Sequence, residues 1–218
     1  MQAIMESLFD VLYLATVTFL GIQMIVGSKR NKFFRIFGIM AFILGFGDAF
    51  HLIPRMIALW GAGMDAHAFS LGLGKLITSF TMTIFYVILY HIWQMYYNVR
   101  TTKTLTFSIY ILAIIRIALL LFPQNDWFSI NSPLSWGIYR NIPFALLGLL
   151  IIVLFYREAK DTKDKVFKYM WLAITLSFAF YIPVVLWADT YPLVGMLMIP
   201  KTCAYVWMVW MGYSEFKK

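Results

Sequence analysis

Five cationic side chains stand inside the apolar stretches of this 218-residue chain: Arg55, Lys75, Arg116, Arg140 and Lys201. A charge within a bilayer span costs about 2.5–3.5 kcal/mol on insertion scales, and such residues face a bundle interior where something meets them. Arginine offers forked N–H donors that match carboxylate or phosphate, and lysine offers a point charge. The five therefore read as the lining of an outward-facing basic cavity for a small anionic ligand or a lipid head group. Tyr205, one turn after Lys201, adds a hydroxyl to that lining. Asp48, His51 and Arg55 are spaced by three and four residues, which puts them on one helical face. Asp48 is suited to act as a counterion. His51 titrates near neutral pH, so the pair is suited to couple binding to a proton. Asp48 is the one clear acid within a span and Asp10 a marginal second. Two acids facing five cations leave positive charge over, and that surplus calls for a ligand.

These side chains need a scaffold, and the composition names its class. Hydrophobic residues make up 62% of the chain and charged residues only 13%. A soluble domain is near half apolar and a quarter charged. The expected fold is all-α, a single polytopic domain over 1–218 built from seven membrane-crossing helices. The net charge of +8 does not point to nucleic acid, because thirteen of the eighteen Lys and Arg residues sit in short gaps between apolar runs. The N-terminal stretch has no basic region ahead of its apolar run, so it is expected to be a span and not a cleavable leader. Cys203 is the single cysteine, which leaves no intrachain disulfide and no thiolate metal cluster. It is expected to be buried as a small apolar residue. No metal site is expected.

The apolar runs place helices at 8–26, 33–60, 69–97, 105–122, 136–156, 166–187 and 192–213. Each is long enough to cross about 30 Å at 1.5 Å per residue. The gaps alternate in charge. Lys29, Arg30, Lys32 and Arg35 follow the first run, and Arg100 and Lys103 the third. Arg157, Lys160, Lys163, Lys165 and Lys168 follow the fifth, and Lys217 and Lys218 the seventh. The other gaps carry only Asp65, Asp126 and Asp189, with Glu6 and Asp10 at the N-terminus. The positive-inside rule then gives an outside N-terminus and a cytoplasmic C-terminus, with the plasma membrane as the expected location. Trp60, Trp127, Trp136 and Trp187 fit an outer aromatic belt, and Trp93 and Trp210 an inner one. Pro54, Pro143, Pro183 and Pro200 all fall in the outer halves of their helices, where kinks would splay the bundle around the cations.

The segments 8–97 and 136–213 show weak self-similarity across a linker helix at 105–122. Ala49-Phe50-His51-Leu52-Ile53-Pro54 echoes Ala179-Phe180-Tyr181-Ile182-Pro183, and Lys75 corresponds to Lys201. This three-plus-one-plus-three topology resembles sugar exporters of the SWEET type, nicotinamide riboside transporters and microbial rhodopsins. A transporter-like anion-binding protein is the leading expectation from the residues. The rhodopsin resemblance implies retinal on Lys201 as an alternative cofactor. It is carried by the lysine in the seventh helix and by the run Tyr181-Ile182-Pro183-Val184-Val185-Leu186-Trp187. Against it, Lys75 stands in the helix where an acidic counterion is expected, and Leu197 stands one turn before Lys201. A lipid-acting intramembrane enzyme built on Asp48 and His51, and a seven-helix signalling receptor, are the remaining alternatives. An enzyme is the less favoured reading, and no catalytic residue is assigned.

Overall fold

Apolar runs of this length satisfy their backbone groups internally only as helices, and the charged gaps break them into seven. The computed structural model describes residues 2–61, 63–129, 132–161, 166–188 and 190–218. It contains α1 (Gln2–Gly27), α2 (Lys32–Trp60), α3 (Ala68–Tyr97), α4 (Lys103–Leu120), α5 (Leu134–Asp161), α6 (Met170–Trp187) and α7 (Met198–Phe216). The rest of the regular structure among the described residues is short 3-10 helix, the longest being Pro192–Leu197. All seven helices are long and apolar enough to cross a membrane. Polar residues set two of the starts: Asn31 accepts from the Phe33 amide over 3.0 Å, and Thr102 from the Leu105 amide over 3.3 Å. Asn98 ends α3 in the left-handed conformation.

The helices pack in chain order around a ring. Each lies against the next, α7 returns to α1, and α3 also touches α5. The contact between α2 and α3 depends on Gly74. A Cβ there would run into the backbone carbonyl of Phe50, the carbonyl that Pro54 deprives of its helical donor. Large apolar side chains such as Phe19, Phe107, Ile114, Leu149 and Leu193 cover the outward faces. Tyr13, Phe37, Leu44, Tyr86, Leu147 and Met208 belong to the continuous core. The end of the bundle that carries the Lys and Arg turns, here the basic end, is sealed by aromatic rings. Phe37 and Phe167 are fully buried there, and the Tyr96 and Phe167 centroids are 4.3 Å apart.

Several expectations change. Helix α1 begins at Gln2, so Glu6 lies within the first helix and not ahead of it. The last apolar run splits: 3-10 helix over Pro192–Leu197 precedes α7. Pro200 therefore sits in the first turn of α7, where the N–H it lacks is one of those a helix leaves unpaired. Cys203 is exposed and not buried. Two positions at about 100° each carry it away from the stripe of Lys201, Ala204, Tyr205 and Met208 that α7 buries. Trp93 of α3 and Trp127 of the α4–α5 turn are buried, whereas Trp60, Trp187 and Trp210 are exposed. Lys163, Lys165 and Asp189 lie outside the described residues.

Candidate functional site

Two of the five cations converge in the bundle interior. Arg116, four residues before the end of α4, is only 2% exposed, and Lys201, in the first turn of α7, is 8% exposed. Each lies within range of the other's charge. The Arg116 guanidinium lies over the Phe144 ring of α5, with its central carbon 3.2 Å from the centroid. Arginine stacks on aromatic faces readily, and the contact strengthens when both are desolvated. Its Nε and Nη1 are buried without a hydrogen-bond acceptor. Lys201 Nζ lies 4.9 Å from the Tyr181 ring centroid of α6 and 5.5 Å from that of Tyr205.

Around these cations the remaining helices supply an aromatic wall. Tyr86 of α3 stands edge-on to Phe144 at 5.1 Å and shares a hydrogen bond of 3.1 Å with Ser177 of α6. Phe178 packs on both Phe144 and Tyr86. Gly148 makes room for it, because a Cβ there would overlap the Phe178 ring. Opposite, the Tyr13 hydroxyl of α1 donates to Asp48 Oδ2 of α2 over 2.5 Å, a length typical of hydroxyl–carboxylate bonds. Asp48 lies within charge range of Lys201, yet the two make no direct ion pair among the described residues. All seven helices thus contribute to one polar centre, which holds Arg116, Lys201, Asp48 and Tyr205 of the expected set.

The other expected residues are placed elsewhere. Arg55 is ion-paired with Glu6 across α1 and α2, so a third acid joins the balance that counted only Asp48 and Asp10. Arg140 donates to Asn125 Oδ1 over 2.8 Å and lies 4.1 Å from the Trp127 ring centroid, which fastens the start of α5 to the preceding turn. Asn125 in turn caps carbonyls at the end of α4, including that of Leu119 over 2.7 Å. Lys75 lies on an exposed face of α3, within charge range of His51. Among the described residues His51 and Asp48 make no hydrogen bond with each other. Asp48 is held by Tyr13, and the buried His51 Nδ1 has no partner.

The chain matches no protein-family description, no curated protein and no solved structure. Its chemistry is therefore read from the site itself. Among the described residues no three His, Cys, Asp or Glu side chains come together as metal ligands. The groups on offer are two cations, tyrosine and serine hydroxyls, and the Asp48 carboxylate, with buried Asp10 within charge range of it. That set can bind and orient an anion.

Phe144 and Ser177 carried no signal in the sequence, because an apolar helix full of aromatics hides which side chain faces inward, whereas Tyr86 follows Lys75 at helical spacing through Ser79 and Met82. Tyr13 stood in a segment that suggested a repeat and Tyr181 opened the run that resembles a rhodopsin helix, but neither was expected at an anion site.

Proposed function

We propose that this chain spans a lipid bilayer seven times and binds a small anionic group between Arg116 and Lys201, in the manner of a transporter. One observation carries the reading: a guanidinium that is 2% exposed keeps two donors unpaired against an aromatic face. Leaving a buried donor unsatisfied costs about 1–3 kcal/mol, more for a charged group, and an anion accepting from Arg116 removes that cost. Asp48 is a counter-charge for Lys201, and a bound anion supplies one for Arg116. The segregation of Lys and Arg to one end supports an outside N-terminus and a cytoplasmic C-terminus, in the plasma membrane. The aromatic seal at the basic end supports a site reached from elsewhere, as one half of an alternating-access cycle requires.

Acetate or inorganic phosphate is expected to raise the thermal unfolding midpoint of the purified protein in detergent micelles. Lys201→Met and Arg116→Gln are expected to lose that gain. Arg55→Gln is expected to keep it, since Arg55 is already paired with Glu6. A panel of small carboxylates and phosphates that leaves the midpoint unmoved would refute the reading.

A second reading is favoured by one observation, the carboxylate of Asp48 facing Lys201 from α2, where a protonated Schiff base would need a counterion. It makes Lys201 the attachment point for retinal. Incubation with retinal decides it: a visible absorption band lost in Lys201→Met supports this reading, and its absence removes it.

A further inference from the structure

Between α5 and α6 the outer surface of the bundle is indented. A cleft of about 160 Å³ lies there, walled by Ile142 and Ala145 of α5 and by Ile182 and Val185 of α6. Its inner surface includes Phe144 and Tyr181. These are the two rings that carry the buried cations, Arg116 over Phe144 and Lys201 over Tyr181. The cleft and the cationic centre therefore have these two rings in common. Tyr181 also donates to Asn141 Oδ1 across the cleft over 3.0 Å, the polar link between the two helices at that level. Pro143 and Pro183 fall in the same stretches of α5 and α6, where each removes a backbone donor and loosens its helix. Ile142 and Ile182 are exposed, so the cleft opens sideways, onto the face that the bilayer covers.

We infer that the ligand is a single-chain amphipathic anion, an alkyl carboxylate or alkyl phosphate. Its charged end sits at Arg116 and Lys201, and its chain leaves the bundle through the cleft between α5 and α6. This rests on the anion-binding reading above and adds the route and the ligand class. The charge complementarity is fixed by the two cations, and the apolar lining fits hydrocarbon. A dry apolar cavity of about 150 Å³ accepts a six-carbon ring, so about six carbons are held in the cleft and the remainder runs into the surrounding lipid. To join the two parts, the Tyr181 side chain swings away from Asn141, a rotamer change of one residue.

The test uses the full chain in maltoside micelles with acetate, hexanoate, decanoate and decyl phosphate at equal concentration, read by the unfolding midpoint. The expected result is a shift that grows with chain length in the native protein and is absent in Lys201→Met. Ala145→Trp and Ile182→Trp, which fill the cleft from opposite walls, are expected to flatten the series, and the exposure of Ile182 makes the second tolerant of the added bulk. Decyl phosphate exceeding decanoate, or the reverse, assigns the head group within the class. A shift in the native protein that does not depend on chain length overturns the cleft and leaves the anion site standing. Growth with chain length that survives both tryptophan variants reports partition into micelles and also overturns it. No shift with any of the four compounds overturns the anion site itself.

Discussion

Two polar clusters of similar composition lie at different levels of this bundle. Near the basic end, Tyr90 is hydrogen-bonded to Thr106 over 2.7 Å, Gln94 donates to Thr101 over 2.7 Å, and His91 bridges Gln94 and Tyr110 over 2.8 Å on each side. Each of these side chains finds its partners within the group. In the centre, Tyr86, Ser177, Tyr13 and Asp48 also bond among themselves, but they surround two cations, and Arg116 keeps two donors unpaired. A satisfied network rigidifies a core and specifies one packing, whereas an unsatisfied one is unstable until something binds. The first therefore reads as a clamp joining α3 to α4, and the second is the centre at which an anion is proposed to bind.

The largest expected effect comes from removing the counter-charge. Asp48→Ala removes the carboxylate within charge range of Lys201 and orphans the Tyr13 hydroxyl. A loss of about 3 kcal/mol in detergent unfolding is expected. An unchanged midpoint would mean that the centre is well solvated, and the contrast between the clusters would collapse. Arg116→Met works in the opposite direction. Replacing a buried unpaired charge by an apolar side chain of similar length is expected to stabilise the ligand-free protein by about 1–2 kcal/mol. Destabilisation on that scale would show that Arg116 is part of a satisfied structure. At the clamp, Tyr90→Phe removes a shared hydroxyl and is expected to cost about 1 kcal/mol. It is expected to leave the response to acetate as in the native protein. A lost response would tie the two clusters into one.

Much of the scaffold was legible in the chain, and the residues show why. Long apolar runs interrupted by Lys and Arg specify helix number and order, because hydropathy and turn charge are local properties. Element ends were less legible. Glu6 looked like a residue ahead of the first helix, yet α1 continues back to Gln2. The run from Pro192 looked uniform, yet its first six residues wind as 3-10 helix. Direction around each helix was the least legible. Lys75 and Lys201 correspond in the suggested repeat, but one is exposed and the other buried. Cys203 was expected inside and faces outward.

The amino-acid order by itself determined seven apolar helices, their sided charge, and the presence of more cations than acids within them. Only the tertiary structure decided which of those cations keep a surplus charge. It gave Arg55 to Glu6 and Arg140 to Asn125, turned Lys75 outward, and left Arg116 and Lys201 among tyrosines and phenylalanines. The reason is geometric: the balance of a charge is set by neighbours within a few ångströms, and in a ring of seven helices most of those neighbours are distant in sequence.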